Sequence, residues 1–303
     1  HAGVYHNGRE LYDIFGLDQG RSLSVFTRAL HNKCTVTKVI EGRNSPFLPG
    51  DIIIRVNNHC IKRLVKKYEP YFPSSNKQGK HNSIYNKILQ NCLKDSVMVK
   101  WKSGKIMSHR FVKTANSQYY SSKLGKGYEI IDNNIGYINV GYFDVGSLDS
   151  LMKKFKTFPG IIFDMRVYPK SFMIYKIGTY LLPNDKNFVL FKQTSISRPG
   201  IYNSEEIGKI GITNLDYYKG KVVLIVNNST FSQGEFTTMG WSMAPNSIII
   251  GEQTKGADGN VTGFYLPGNF YITLSGCGIY YPDGGETQRQ GIRIDEIVEP
   301  SLE

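Results

Sequence analysis

The run Lys221-Val222-Val223-Leu224-Ile225-Val226 constrains this chain more than any other segment. It is apolar after its first residue and rich in β-branched side chains, the pattern of a strand buried on both faces. Polar residues follow at Asn227–Thr230, then a helical segment over Ser232–Met243, then a second buried strand over Ser247–Ile250. Two buried strands joined through a helix need a crossover, so they pair in parallel in a sheet covered by helices. The same alternation runs upstream: strand Ile135–Val140, helix Gly146–Phe155, strand Gly160–Asp164, helix Phe172–Leu182. Downstream, Tyr265-Leu266 and Phe270–Ser275 pair around the turn Pro267-Gly268-Asn269. Residues beyond about 126 therefore read as an α/β fold.

The first part of the chain has a different texture. Thr35–Ile40 alternates at period two, Glu41–Pro46 is a turn cluster, and Ile52–Val56 is a strand with Asn57-Asn58 as its hairpin turn. Residues 81–94 have helical spacing, with Ile84, Ile88, Leu89 and Leu93 on one face. Val97–Trp101 and Ile106–Val112 form a hairpin about Ser103-Gly104. The polar stretch 113–126 marks a boundary. The expected organisation is an irregular segment over 1–20, a β-rich domain over 21–115 and the α/β core over 116–303.

Charge is unevenly placed. The first 125 residues hold 21 Lys and Arg against 7 Asp and Glu, and the remainder 16 against 18. The lysines are scattered and no nucleic-acid-binding signature accompanies them, so they read as a solvated face and no nucleic-acid partner is expected. Cys34, Cys60, Cys92 and Cys277 show no Cys-x-x-Cys spacing and no histidine beside them, which predicts buried thiols and no metal. No apolar run reaches the ~18–20 residues that span a bilayer. The start His1-Ala2-Gly3, with no initiator Met, reads as a processed, trimmed or incomplete chain whose targeting signal is not visible.

The turn after Val226 is where chemistry is expected. A serine between a buried strand and a helix has its hydroxyl beside the helix's free N–H groups and positive dipole end. That place suits a nucleophile and its oxyanion. Ser232-x-x-Glu235 is equally a capping box, which needs no catalysis. Thr230 stands where a Gly-x-Ser-x-Gly elbow would carry its first glycine.

Several motifs in order sharpen the reading. Asn134-Ile135-Gly136-Tyr137-Ile138, Gly160–Arg166 ending in Asp164-Met165-Arg166, the Ser232/Glu235 turn and Gly251-Glu252-Gln253-Thr254 come first. Leu266-Pro267-Gly268, Tyr281-Pro282-Asp283-Gly284 and Gly291-Ile292 with Asp295 follow. Over roughly 126–300 this set resembles the S41 family of serine peptidases, which includes C-terminal (tail-specific) processing proteases and the tricorn-type core. The resemblance implies a ClpP/crotonase-like α/β core. Residues 45–53, Ser-Pro-Phe-Leu-Pro-Gly-Asp-Ile-Ile, resemble an element of the PDZ domain, so the β-rich part would be an inserted PDZ-like domain. Thr27–His31 lacks the glycines of a carboxylate-binding loop there.

The resemblance implies Ser232 as nucleophile and the Gln233 backbone N–H as one oxyanion donor. The second would come from Lys170 or Ser171, since Pro169 has no N–H. The base stays open. The lysine of the processing proteases falls in register at Ala257, with Lys255 two residues earlier. The tricorn-type branch uses a histidine before the PDZ domain, which His1-Ala2 resembles. His1 is therefore the expected base ahead of His6, and Glu286, rather than Gln288, the carboxylate that orients it. Asp164 with Arg166 reads as a structural ion pair, Glu235 as a cap or support, and Asp258 as a turn residue. The expected protein is a serine-type endopeptidase with polypeptide substrates bound by strand addition and no cofactor. It would work in the periplasm or at the cell surface. The alternative is an inactive peptide-binding protein on the same scaffold, and oligomeric state is not readable.

Overall fold

The computed structural model describes residues 2–6, 9–10, 21–22, 25–39, 46–56, 59–89, 96–101, 106–110, 112–113, 126–195 and 201–300. It divides into two compact units. One holds 124–262 and 273–299; the other holds 2–123 and 263–272. The 1–20 segment expected to be irregular lies largely outside the described residues, and of it Ala2–His6 and Arg9–Glu10 are strands.

The first unit is built on six strands in the order Tyr128–Ile131, Ile135–Asn139, Gly160–Asp164, Lys221–Val226, Ser247–Gly251, Glu296–Ile297. The first pair is antiparallel and every later pair parallel. Ile161 stands beside Val222, and Leu224 between Phe163 and Ile249. Helices Leu148–Phe155, Ile174–Leu181 and Gln233–Trp241 supply the crossovers. Ile138, Phe163, Leu224, Ile177, Met239 and Trp241 are all fully buried in one core. The rings of Phe163 and Trp241 lie 4.7 Å apart, and the indole N–H donates to Ile174 O at 3.0 Å.

This is the α/β fold expected from the alternation, and the strand bounds at Gly160–Asp164 and Lys221–Val226 coincide with those read from the sequence. The sequence reading missed a second, antiparallel sheet of Tyr202–Ile210, Lys186–Thr194 and Cys277–Tyr280. The expected hairpin is present, with Val261–Leu266 beside Phe270–Ser275.

The other unit contains an antiparallel sheet in the order Val25–Leu30, Lys33–Val39, Ile52–Val56, Ser96–Trp101, Ile106–Arg110. Its helices are Ile61–Tyr68 and Lys77–Ile88. Val36, Ile53, Ile84, Phe47 and Trp101 form its core, the last two rings 4.9 Å apart. Ile84, Ile88 and Leu89 are buried on one face as their spacing predicts, while Leu93 lies outside the described residues. Thr27–Leu30 is strand, closed by a turn at His31 and Asn32 whose φ values of 46° and 58° are positive. Asp51 folds back on its turn and accepts the Leu48 N–H at 2.9 Å. The helix Ile61–Tyr68 was not foreseen, although Ile61, Leu64, Val65 and Tyr68 recur at helical spacing among Lys and Arg residues.

Candidate active site

Three loops at the carboxyl ends of the parallel strands build the site. The first follows Val226. Thr230 N–H donates to Asn227 O at 2.9 Å, and Thr230 Oγ1 accepts the Asn227 N–H at 3.1 Å while donating to Met165 O at 3.0 Å. This buried hydroxyl stitches the turn to the neighbouring strand end, which is why threonine replaces a glycine there. Gly234 keeps the turn tight from the other side, since a Cβ on it would stand 3.2 Å from Thr230 Cγ2.

Ser232 follows with φ 51° and ψ −124°. A positive φ of this kind costs a non-glycine residue ~1–3 kcal/mol and persists only where the surroundings over-determine it. They do so here. The Ser232 N–H donates to Ala257 O at 2.8 Å and to Glu235 Oε2 at 3.3 Å, and Ser232 O accepts the Phe236 N–H at 3.0 Å. The helix Gln233–Trp241 starts at once, so its first N–H groups face the Ser232 side.

Glu235 has no exposed surface. Its Oε1 accepts Thr254 Oγ1 at 2.5 Å and the Gly256 N–H at 2.7 Å, and its Oε2 accepts the Ala257 N–H at 2.9 Å. Burial pushes its pKa upward against these donors. It thereby fixes the second loop, residues 252–258, to the helix start. Two glycines make that loop possible. A Cβ on Gly251, φ 128°, would sit 2.0 Å from Val226 O; on Gly256, φ 63°, it would meet the Arg289 backbone at 2.7 Å.

Lys255 lies in this loop. Its N–H donates to Thr230 O at 3.0 Å and its ammonium stands 4.6 Å from the centre of the Phe231 ring. Burial lowers its pKa, with Glu235 opposing. Its ammonium makes no hydrogen bond among the described residues. Ala257, where the processing-type lysine would fall, is buried.

Asp258 is more than a turn residue. It is only 4% exposed, its Oδ1 accepts the Gly259 N–H at 2.7 Å, and its buried Oδ2 has no hydrogen-bond partner among the described residues. Burial, then the neighbouring Glu235 charge, pushes its pKa up to about 8. Its carbonyl accepts Ser275 Oγ and Gln288 Nε2, both at 2.9 Å. The sequence signal that could have singled it out is a carboxylate between glycines one residue after Ala257.

The third loop follows Asp164. Asp164 is buried, and its carboxylate accepts Arg166 Nε at 2.9 Å, Arg166 Nη2 at 2.7 Å and the Tyr137 hydroxyl at 2.6 Å. Burial alone would raise its pKa, but Arg166 and Tyr137 hold it below the usual carboxylate value. The Lys170 N–H, one of the two expected second oxyanion donors, instead donates to Val140 O at 3.0 Å. Ser171 is different: its carbonyl accepts Gln233 Nε2 at 2.9 Å, which ties this loop to the helix start. The N–H groups of Ser171 and Gln233 make no hydrogen bond among the described residues.

Glu286 is the carboxylate that the resemblance paired with the base. It is exposed and paired with Arg289 Nη2 at 2.7 and 3.0 Å, three residues away on the surface. Gln288, the register alternative, reaches the Asp258 loop through the bond above and a second, to Cys277 O, at 2.8 Å. His1 lies outside the described residues, as do the side chains of His6 and His109. His31 and His59 are exposed, and His81 stands 3.9 Å from Glu69 in the other unit. Among the described residues no His/Cys/Asp/Glu cluster could hold a metal ion, and no helix is long and apolar enough to cross a membrane.

Ser232, Gln233 and Asp258 open together into one cleft of about 860 Å³. Phe172, Tyr175, Phe191 and Phe236 form part of its wall. The model of peptidase family S41 matches residues 134–298, which includes every loop just described. The chain belongs to peptidase family S41. No curated protein matches it. Among solved structures it is similar to mature CPAF complexed with lactacystin, at 10% identity and a TM-score of 0.67, over 93% of this chain and 79% of that one. It is also similar to the photosystem II D1 C-terminal processing protease, at 15% identity and a TM-score of 0.50, over 95% and 75%. At these identities the likeness is one of fold. This S41 core thus carries Ser232 at the turn after Lys221–Val226 and Ala257 and Lys255 in the loop bonded to that turn.

Proposed function

We propose that this S41 peptidase is an endopeptidase that cleaves extended polypeptides with Ser232 as nucleophile. The observation that carries the reading is the positive-φ turn at Ser232, held by Glu235 and Ala257 at a helix start. Ser232 Oγ attacks the scissile carbonyl carbon while a base takes the hydroxyl proton. The oxyanion faces the Gln233 and Ser171 N–H groups and the positive end of the helix. Collapse expels the amine, which takes the proton from the base, and water then releases the acyl group by the same route. His1 is the base in this reading, of the tricorn-type pattern, because the Lys255 ammonium is engaged over Phe231. The other unit acts as a PDZ-like peptide-holding domain, and the protein works in the periplasm or at the cell surface.

A fluorophosphonate probe tests the nucleophile. Labelling of the native chain that disappears in Ser232→Ala and survives in Ser229→Ala is the expected result. Loss in Ser229→Ala instead would move the nucleophile. No labelling at all would leave a peptide-binding scaffold without activity. Dependence of the labelling rate on pH tests the base: a histidine gives a rise through roughly pH 6.5, and His1→Gln should remove it.

A further inference from the structure

We propose that the Ser232 cleft binds the cationic side chain of lysine or arginine, with Asp258 and Glu206 as its carboxylate partners. The proposal deepens the peptidase reading by naming a substrate class, and its binding arm does not depend on catalysis.

Charge is the first observation. The chain carries 37 Lys and Arg, yet none of the described residues that line this cleft is Lys, Arg or His. Its ionisable acids are Asp258 and Glu206. Carboxylates in the lining of a cleft favour a ligand of the opposite sign. The second observation is independent. Asp258 is buried to 4% exposure, lines the cleft, and has an Oδ2 with no hydrogen-bond partner among the described residues. Buried acceptors are normally satisfied, so one left open at a ligand cleft marks where a donor belongs. The third is the wall. The Phe172 and Tyr175 ring centres lie 5.8 Å apart and those of Phe191 and Phe236 5.9 Å apart. Glu206 stands directly opposite Phe191 in the antiparallel pair, and its charge acts on the Tyr175 hydroxyl. Aromatic faces with carboxylates beyond them suit a side chain that has an apolar stem and a cationic head.

The position of Asp258 follows from its neighbour. Ala257 O accepts the Ser232 N–H, so the next residue in the chain stands beside the nucleophile turn. Glu235 presses on Asp258 from the helix, the chain's N-terminal ammonium acts on it in the opposite sense, and Lys255 answers Glu235 from the same loop. Burial and Glu235 raise the Asp258 carboxyl to about 8, so it is largely protonated at neutral pH. An incoming cation favours the ionised form and displaces that proton.

The binding arm uses the full chain carrying Ser232→Ala, with benzamidine as the probe and the neutral benzamide as its control, by calorimetry. Benzamidine should bind at least about tenfold tighter than benzamide, a gap of ~1.4 kcal/mol, and Asp258→Asn should close it. Tightening as the pH rises through Asp258's range should accompany it. The kinetic arm compares two peptides that differ only in lysine or norleucine on the acyl side of the scissile bond. The lysine peptide should have the higher kcat/KM by about tenfold or more, with the ratio falling toward one in Asp258→Asn. Glu206→Lys gives a second readout if the Asp258 variant does not fold, and should reverse the preference. Equal binding of benzamidine and benzamide would overturn the proposal. So would an Asp258→Asn loss that is the same for both peptides, which would make Asp258 a partner of the base. Benzamidine binding without hydrolysis of either peptide would overturn the peptidase reading and leave the cation site standing.

Discussion

Thr254 Oγ1 donates to Glu235 Oε1 at 2.5 Å, and neither residue has any exposed surface. The same threonine oxygen accepts the Ile292 N–H at 2.9 Å. One hydroxyl therefore joins the helix start, the loop after Ser247–Gly251 and the segment leading to the last strand. The site's framework is set by bonds within the fold before any substrate arrives.

Glu235 should consequently be a positioning residue with a large effect. Glu235→Gln keeps the shape but cannot accept from every present donor, and should cost about 1–3 kcal/mol of stability. The rate of fluorophosphonate labelling at Ser232 should fall by at least about tenfold, whereas Thr254→Val should lower it less. Thermal unfolding and labelling kinetics check the two effects separately. An unaltered labelling rate in Glu235→Gln would show that the Ser232 turn holds without it.

Asp258 makes a pH prediction. Its folded pKa of about 8 lies above its ordinary value of 3.8, so the folded state binds the proton more tightly than the unfolded chain. The associated stability is fully present below about pH 4 and is lost as the pH rises toward and through 8. Asp258→Asn removes the ionisation. Its melting temperature relative to the native chain should therefore be higher at pH 9 than at pH 5. A constant difference across that range would contradict the assignment.

Asp164 behaves in the opposite sense. Arg166 and Tyr137 hold its pKa below 3.8, so its contribution is present above that value and is lost as acid brings the pH through its folded pKa. Asp164→Asn should destabilise by about 1–3 kcal/mol at pH 7 and Tyr137→Phe by about 1 kcal/mol. Both penalties should shrink in acid-denaturation curves.

Gly240 tests packing rather than charge. A Cβ at this helix position would stand 2.8 Å from both Ile174 Cδ1 and Ile210 Cδ1. Gly240→Ala should therefore lower stability by about 1–3 kcal/mol although alanine is the better helix former. Adding Ile210→Val should recover part of the loss, measured by denaturant midpoint.

The parallel sheet was legible because its strands are unbroken apolar runs, and Lys221–Val226 could be bounded to the residue. The Lys186–Thr194 and Tyr202–Ile210 strands, which pair with each other, were not, because they mix charged and apolar residues and their sheet is completed only by the distant strand Cys277–Tyr280. Ser232 stood out through its place between strand and helix. Asp258 did not, since a carboxylate between Gly256 and Gly259 reads first as a turn residue and its burial comes only from the folded loop. The Lys170 amide could not be excluded from sequence, because only the folded loop brings it to Val140 O. Glu286 was chosen for its charge, yet three residues away Arg289 takes up that charge at the surface.

The parallel strands have one more consequence. Their carboxyl ends all open on the same edge, and each of the three loops there is anchored by a bond into a strand end or another loop: Lys170 to Val140, Thr230 to Met165, and Lys255 to Thr230. None of these anchors uses a side chain at 168–171 or 257–258, the positions that would meet a substrate. Such a layout separates the frame from its fittings. A redesign could exchange those few side chains one at a time, as tools are changed in a fixed chuck, while the sheet beneath keeps its shape.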